Sequence, residues 1–197
     1  MKYQPYQIYH VFNQGNNRQK IFFNNDNYLY FLGKIVKYIS PVSSVLAYCL
    51  MPNHFHLLVY TTDRSIEQFK NSGMQNLSFA ISKLLSSYTK AINNQENTSG
   101  SLFRSKTKSK DGWNMNNDYR SIGQYDGETM TFIDHKYAQT VFEYIHNNPV
   151  KSKLVKTQRD WKYSSANEYY KGDNLNICDV SLGKKLLGLS SAQSDNH

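Results

Sequence analysis

The chain has 197 residues, 39% of them hydrophobic, and its 23 lysines and arginines exceed its 15 acidic residues to give a formal net charge of +8. This length and composition exclude an intrinsically disordered chain and predict about one globular domain. The positive surplus makes a polyanion, most often nucleic acid, the first partner to expect. Because no stretch approaches membrane-spanning length, the N-terminus has no apolar signal core and the two cysteines show no pairing pattern, we expect a cytoplasmic protein with no membrane partner.

Hydrophobic periodicity and turn residues predict the elements of the N-terminal part of the chain. In chain order these are a strand at 6–12, a turn at 13–20, a helix at 24–39, and strands at 44–51 and 54–60. Asn25 or Asp26 is expected to cap the helix, and Pro41 to end it. Pro52 and Asn53 form a tight turn, so the two strands beside them should pair as a hairpin.

The later part of the chain begins with a helical period from Ser65 to about Asn93, in which Gly73 is a candidate break between two helices. The further predicted elements are a polar loop at 93–100, a strand at 101–110, an irregular insertion at 110–131, a helix at 132–148, a loop and short helix at 160–170, and a C-terminal helix at 180–189. Asp134 should cap the helix at 132–148 and Pro149 should end it. This order of elements predicts an α+β fold, in which helices flank an antiparallel sheet.

Two histidines lie one residue apart in the apolar run "MPNHFHLLV". Residues i and i+2 of a strand point the same way, so His54 and His56 share one face while Phe55 and Leu57 occupy the other. Two neutral imidazoles on one face form half of a divalent-metal site, or else are a structural pair. A third ligand is needed to decide between these interpretations.

The candidate third ligand lies in "EYIHNNPV", on the helix predicted at 132–148. Tyr144 and Asn148 are four residues apart, so their side chains stack on one helical face about 6 Å apart. Asn148 can offer a carbonyl oxygen to a metal, and Tyr144 a phenolic oxygen beside it. The alternative is that Tyr144 only packs and that Asn148 caps the helix before Pro149.

Basic side chains form three groups that could contact a phosphate backbone. If residues 101–110 form a strand, four alternating basic residues share one of its sides. Three lysines, Lys151, Lys153 and Lys156, follow the helix predicted to carry Tyr144. Two further basic residues lie beside the turn that contains "GNN", whose backbone N–H groups could meet a phosphate or a base. The candidate DNA-binding residues are therefore Arg104, Lys106, Lys108 and Lys110, then Lys151 and Lys153, then Arg18 and Lys20. The alternative for each is a solvated surface charge.

Four segments in this order, "YHVFNQGNNRQKIFF", "YCLMPNHFHLLV", "SLFRSK" and "YIHNNPVKSKLV…DWKYSS", resemble the HUH single-strand tyrosine transposases, most closely the REP-associated tyrosine transposase branch. The resemblance covers residues 6 to about 167. It implies a ferredoxin-like HUH domain over 1–170. For 171–197 the residues themselves predict a short helix and a flexible tail. The insertion at 110–131 and the run "FRSKTKSK" depart from the usual family pattern.

The resemblance also implies the roles of the candidate site residues. His54, His56 and Asn148 would hold Mg²⁺ or Mn²⁺, and Tyr144 would be the nucleophile. The tyrosine would attack single-stranded DNA beside a hairpin, form a 5′-phosphotyrosine and release a 3′-OH that can later be rejoined. The implied partner is single-stranded or hairpin DNA, bound by a monomer or a homodimer.

Three other functions remain open from the sequence. A metal-free ribonuclease could use the two histidines as acid and base. A protein of transposase origin could bind hairpin DNA without cutting it, although the retained His54, His56, Tyr144 and Asn148 favour an enzyme. A rolling-circle replication initiator would use the same chemistry, but the chain has no helicase segment.

Overall fold

The computed structural model describes residues 2–70, 72–111, 136–172 and 176–189. The strands are β1 (Ile8–Gln14), β2 (Ser43–Met51), β3 (His54–Thr61) and β4 (Lys108–Asp111). The helices are α1 (Asn25–Lys34), α2 (Asp63–Ile66), α3 (Asn76–Glu96), α4 (Lys136–Lys151), α5 (Ala166–Tyr170) and α6 (Val180–Leu187). A π-helical turn (Ile35–Ile39) prolongs α1, and short 3₁₀ turns occupy Asn16–Arg18 and Gln158–Asp160.

The four strands form one antiparallel sheet in the order β2-β3-β1-β4. Met51 pairs with His54 across a two-residue turn, which confirms the predicted β2–β3 hairpin. Helices flank the sheet, so the predicted α+β class with an antiparallel sheet is confirmed. Among the described helices, none combines the length and the hydrophobicity needed to cross a bilayer.

Each face of the sheet has its own core, and strand alternation decides which residues enter which core. On β3, Phe55, Leu57 and Val59 pack with residues of α1 and α3. Leu58 and Tyr60 point the other way and pack with residues of α4 and α6. The even-numbered residues of β3, including both histidines, therefore face the helix that carries Tyr144.

Several predicted element boundaries are wrong, for local physical reasons. Asn24, and neither Asn25 nor Asp26, caps α1, because its side chain accepts a hydrogen bond from the backbone N–H of Asn27. Helix α4 runs through Pro149 to Lys151, because the missing proline N–H interrupts the backbone pattern only once, near the helix end.

The predicted helical stretch at 65–93 is two helices, α2 and α3, with Gly73 between them at a φ of +71°. The predicted strand at 101–110 is much shorter: Lys108–Asp111 forms a ladder with β1, and before it Phe103 makes only an isolated bridge to Gly15. Lys110 and Asp111, predicted to belong to the irregular insertion, are part of β4. The other residues of the predicted insertion, 112–131, lie outside the described part of the chain, as does the predicted cap Asp134.

Candidate active site

Strand β3 and helix α4 bring the two histidines and the candidate nucleophile together. The ring centroids of His54 and His56 are 5.0 Å apart, with the rings nearly perpendicular. The Tyr144 ring centroid lies 5.5 Å from that of His56, edge to face. Tyr144 remains 40% exposed, so its phenol is accessible from solvent. A candidate nucleophile and two potential metal ligands from separate elements thus line one site.

Both histidines are held in the neutral form that can bind a metal. Burial lowers the pKa of His54. Burial, and then the neighbouring imidazoles of His10 and His54, lower the pKa of His56 well below its ordinary value. A protonated imidazole has no lone pair, so these shifts preserve the ligand form at neutral pH.

A third histidine, His10 on β1, belongs to the site and was missed by the sequence analysis. Its Nε2 lies 2.8 Å from Nδ1 of His56. Its ring stacks on that of Phe12 and approaches the Tyr144 ring at 6.2 Å. The only signal in the sequence is a histidine within an apolar strand. The β1–β3 register is needed to show that this histidine lies next to His56.

The Nε2 atom of His56 supports the presence of a cation in this site. It is buried and has no hydrogen-bond partner among the described residues, a costly state for a polar ring nitrogen. A lone pair aimed at a divalent ion removes that cost, so the imidazole donors fit the metal that the family resemblance implies. No cluster of three or more His, Cys, Asp or Glu side chains suited to a metal occurs in the described residues.

Asn148, the expected third ligand, lies one helical turn after Tyr144 on α4 but does not line the pocket that the histidines and Tyr144 share. Its side chain is 8% exposed, and its Nδ2 donates to the carbonyl oxygen of Tyr144 at 2.9 Å. Its amide nitrogen is therefore bound within its own helix, and its Oδ1 is the atom left to act as a ligand.

A pocket of about 260 Å³ joins the histidines, Tyr144 and three of the predicted basic residues. Those three, Arg104, Lys106 and Lys108, are exposed at its rim although only Lys108 lies in a strand. The segment before β4 reaches the pocket because the buried Asn13 side chain donates to the Arg104 carbonyl and to Thr107 Oγ1, at 3.1 and 2.9 Å.

The other predicted basic residues divide into near and distant ones. Lys151 lies over the Tyr144 ring, with Nζ 5.5 Å from its centroid. Lys153 is exposed just beyond α4, and Lys110 pairs through its backbone with His10. Arg18 and Lys20 are exposed but do not line the pocket.

Two of the three backbone N–H groups of the "GNN" turn, which we expected to meet a phosphate, make hydrogen bonds within the fold. Those of Gly15 and Asn16 donate to the carbonyls of Asn53 and Leu102. The turn therefore holds the β2–β3 hairpin and the segment before β4 in place.

Helix α4 is fixed to the sheet through a buried histidine on its opposite side. His146 Nε2 lies 2.8 Å from Ser165 Oγ, which also accepts the backbone N–H of Tyr48 at 2.9 Å. Burial lowers the pKa of His146 to about 3, so its imidazole is neutral. This link connects two of the segments noted in the sequence, because His146 belongs to "YIHNNPV" and Ser165 ends "DWKYSS". Together they fix the helix that carries Tyr144 to the rest of the fold.

The comparisons with known proteins bear on the fold. A solved structure described as the REP-associated tyrosine transposase bound to a REP hairpin is similar to this chain, with a TM-score of 0.55 and 16% sequence identity. The match covers 87% of this chain and 86% of that one. The likeness is one of fold. No family model matches the sequence, and no curated protein matches it significantly.

Proposed function

We propose that this protein is a metal-dependent strand transferase that cuts and rejoins single-stranded DNA beside a hairpin. The observation that carries the proposal is the convergence of the Tyr144 ring with His54 and His56 in one pocket rimmed by basic residues. The fold shared with a tyrosine transposase bound to hairpin DNA adds support at the level of architecture.

In this proposal Tyr144 Oη attacks the phosphorus of a DNA phosphodiester. Oη gives its proton to the solvent as its bond to phosphorus forms, the bond from phosphorus to the 3′-oxygen breaks, and that oxygen leaves with the electron pair and takes a proton from the solvent. The products are a 5′-phosphotyrosine and a free 3′-OH, and attack by a 3′-OH on the phosphotyrosine reverses the step. Because the phosphotyrosine bond retains the energy of the cleaved phosphodiester, rejoining needs no external energy source. A water nucleophile would yield only hydrolysis.

His54, His56 and Asn148 are the residues proposed to hold Mg²⁺ or Mn²⁺. Two nitrogens and one amide oxygen form a mixed donor set that suits Mn²⁺ well, whereas cellular supply favours Mg²⁺. The bound ion supplies Lewis-acid stabilisation of the charge that develops on the non-bridging oxygens. The contribution of α4 is orientation, since it holds the phenol beside the imidazoles.

The basic rim is proposed to bind the DNA backbone. Arg104, Lys106 and Lys108 lie on the open side of the pocket, where a phosphate chain would approach Tyr144. Lys151 lies beside the phenol, and the exposed Lys153 extends the positive surface. Lys110 is included in the proposal because it follows Lys108 on β4. We further propose that the protein acts in the cytoplasm, where its free Cys49 and Cys178 would remain reduced.

The test uses single-stranded hairpin DNA labelled at its 5′ or its 3′ end, incubated with Mn²⁺ and separated on a denaturing gel. We expect a protein adduct that retains the label downstream of the cut, because the 5′ phosphate becomes attached to the protein. EDTA and Tyr144→Phe should abolish it. Tyr170→Phe is the matched control, since Tyr170 is similarly exposed, at 45%, but does not line the pocket.

Each of the other possible outcomes would indicate a different function. Released fragments without an adduct would support a nuclease, and RNA cleavage that survives EDTA and Tyr144→Phe would support the metal-free ribonuclease. Tight hairpin binding without cleavage would support a binding protein. An adduct that survives Tyr144→Phe would assign the nucleophile to another residue.

A further inference from the structure

Asn53 makes two hydrogen bonds that together determine the state of His54. Its Nδ2 donates to the carbonyl oxygen of Arg18 at 3.3 Å, and its Oδ1 lies 2.6 Å from His54 Nδ1. A carbonyl oxygen only accepts, so the bond to Arg18 fixes which end of the amide faces each neighbour. Oδ1 also only accepts, and His54 Nδ1 must therefore carry the proton and donate it.

The Arg18 carbonyl is held in place by an unusual loop. Asn17 and Arg18 have positive φ angles of 50° and 59°, which turn the chain back towards the β2–β3 hairpin. Gly15 N and Ile21 N donate to the carbonyls of Asn53 and Pro52, so the loop clasps both residues of the hairpin turn. The same loop thus holds the backbone of Asn53 and supplies the carbonyl that its side-chain amide meets.

We propose that Asn53 is a positioning residue, which holds His54 as the Nδ1–H tautomer and so keeps the Nε2 lone pair directed at the divalent cation. A neutral imidazole has one protonated and one unprotonated nitrogen, and the partner of one nitrogen selects the state of the other. Partners of this kind typically contribute about 10- to 100-fold to metal affinity. The inference rests on the proposed function in one respect, namely that His54 binds a metal.

The first measurement needs no variant and no DNA. The metal-free protein, labelled with ¹⁵N-histidine, is studied by long-range ¹H–¹⁵N correlation at pH 8, where His54 is neutral. We expect the ¹⁵N shifts of His54 to show a protonated Nδ1 and an unprotonated Nε2. A protonated Nε2 would overturn the proposal.

The second measurement compares two substitutions by calorimetric titration with Mn²⁺ and by the same spectra. Asn53→Ala removes the acceptor, so the Nδ1–H tautomer should lose its dominance and Mn²⁺ affinity should fall about 10- to 100-fold. Asn53→Asp retains an accepting oxygen, so it should keep the tautomer and bind Mn²⁺ at least as tightly as Asn53→Ala does. An unchanged tautomer and affinity in Asn53→Ala would overturn the proposal.

Failure of this inference and failure of the proposed function give different results. If the wild-type protein shows the Nδ1–H tautomer and Asn53-dependent Mn²⁺ binding but forms no DNA adduct, the inference stands and strand transfer is refuted. If the adduct forms while His54 carries its proton on Nε2, strand transfer stands and the role of Asn53 is refuted. Circular dichroism of both variants establishes that they are folded.

Discussion

His10 Nε2 lies 2.8 Å from Nδ1 of His56, although the two residues are 46 positions apart in the chain. Neighbouring strands of the sheet create this pair, since His10 lies opposite Leu58 and diagonally from His56. Both imidazoles are buried, so each ring restrains the other. The contact uses the Nδ1 atom of His56 and leaves its Nε2 directed elsewhere.

The first prediction concerns this pair. His10→Phe keeps an aromatic ring stacked on Phe12 but removes the hydrogen bond to His56, so we expect Mn²⁺ affinity to fall about 10- to 100-fold with little loss of fold. His10→Gln, which retains a polar group, should recover part of the affinity. Calorimetric titration measures both, and equal affinities for wild type and His10→Phe would refute this role.

The second prediction concerns the rim of the pocket. Single changes of Arg104, Lys106 or Lys108 to Ala should weaken single-stranded DNA binding about equally for all sequences. Each should also reduce the slope of log K against log salt by about 0.7, the loss of one phosphate contact. Fluorescence anisotropy at several salt concentrations provides both quantities.

The matched control for the rim is Lys83→Ala. Lys83 is equally exposed, but α3 packs on the opposite face of the sheet from the pocket. This variant should leave the salt slope unchanged, and an equal effect of Lys83→Ala would mean that the charge acts without a defined site.

The third prediction concerns the loop that clasps the hairpin. A Cβ atom at Gly15 would lie 2.3 Å from the Gln19 carbonyl oxygen, a backbone atom that cannot move freely. Gly15→Ala should therefore lower the free energy of unfolding by about 1–3 kcal/mol, as overpacking does. Urea unfolding monitored by circular dichroism measures the change.

Gly33 is the control for that substitution. A Cβ at Gly33, within α1, meets no atom of the described residues within 4 Å. Gly33→Ala should raise the free energy of unfolding by up to about 1 kcal/mol, because alanine favours the helix. The opposite signs would separate steric conflict from a general effect of replacing glycine, and a neutral Gly15→Ala would contradict the close packing of the loop.

The fourth prediction concerns the buried Glu168. Burial raises its pKa, while the backbone N–H of Cys178 partly offsets this by donating to Oε2. The carboxyl of Glu168 thus loses its proton at a lower pH in the unfolded chain than in the native protein. The free energy of unfolding therefore falls as the pH rises from about 4.5 through the pKa of Glu168 in the native protein. Tyr48 and Cys178, which adjoin it, stay neutral because burial raises the pKa of both groups.

Glu168→Gln removes this titration. We expect the variant to gain stability relative to wild type between pH 4 and pH 8, with the smallest difference at the acidic end. Urea unfolding at pH 4, 6 and 8 tests this directly, and a difference that shrinks as the pH rises would show that the carboxylate is stabilised in the native protein.

Local periodicity in the sequence determined the first three strands, the hairpin and the face on which each residue of these strands lies. Alternation along β3 predicted that His54 and His56 share a face opposite Phe55, because strand geometry depends only on neighbouring residues. The same holds for the hairpin turn at Pro52 and Asn53. The α+β class followed from the order of such elements, and the confirmed sheet has the predicted antiparallel pairing.

The assembly of the site required the tertiary structure. The His10–His56 bond depends on the β1–β3 register, and the Asn53 amide is oriented by an Arg18 carbonyl 35 residues away. Arg104 lies at the rim because its backbone N–H donates to the Gln14 carbonyl of β1 and its carbonyl accepts from the Asn13 side chain, and not through the strand alternation that the sequence predicted. Local sequence patterns specify which way a side chain points from its own backbone. Which partner a side chain meets depends on long-range packing. That packing brings together segments that are far apart in the sequence, and no local pattern specifies it.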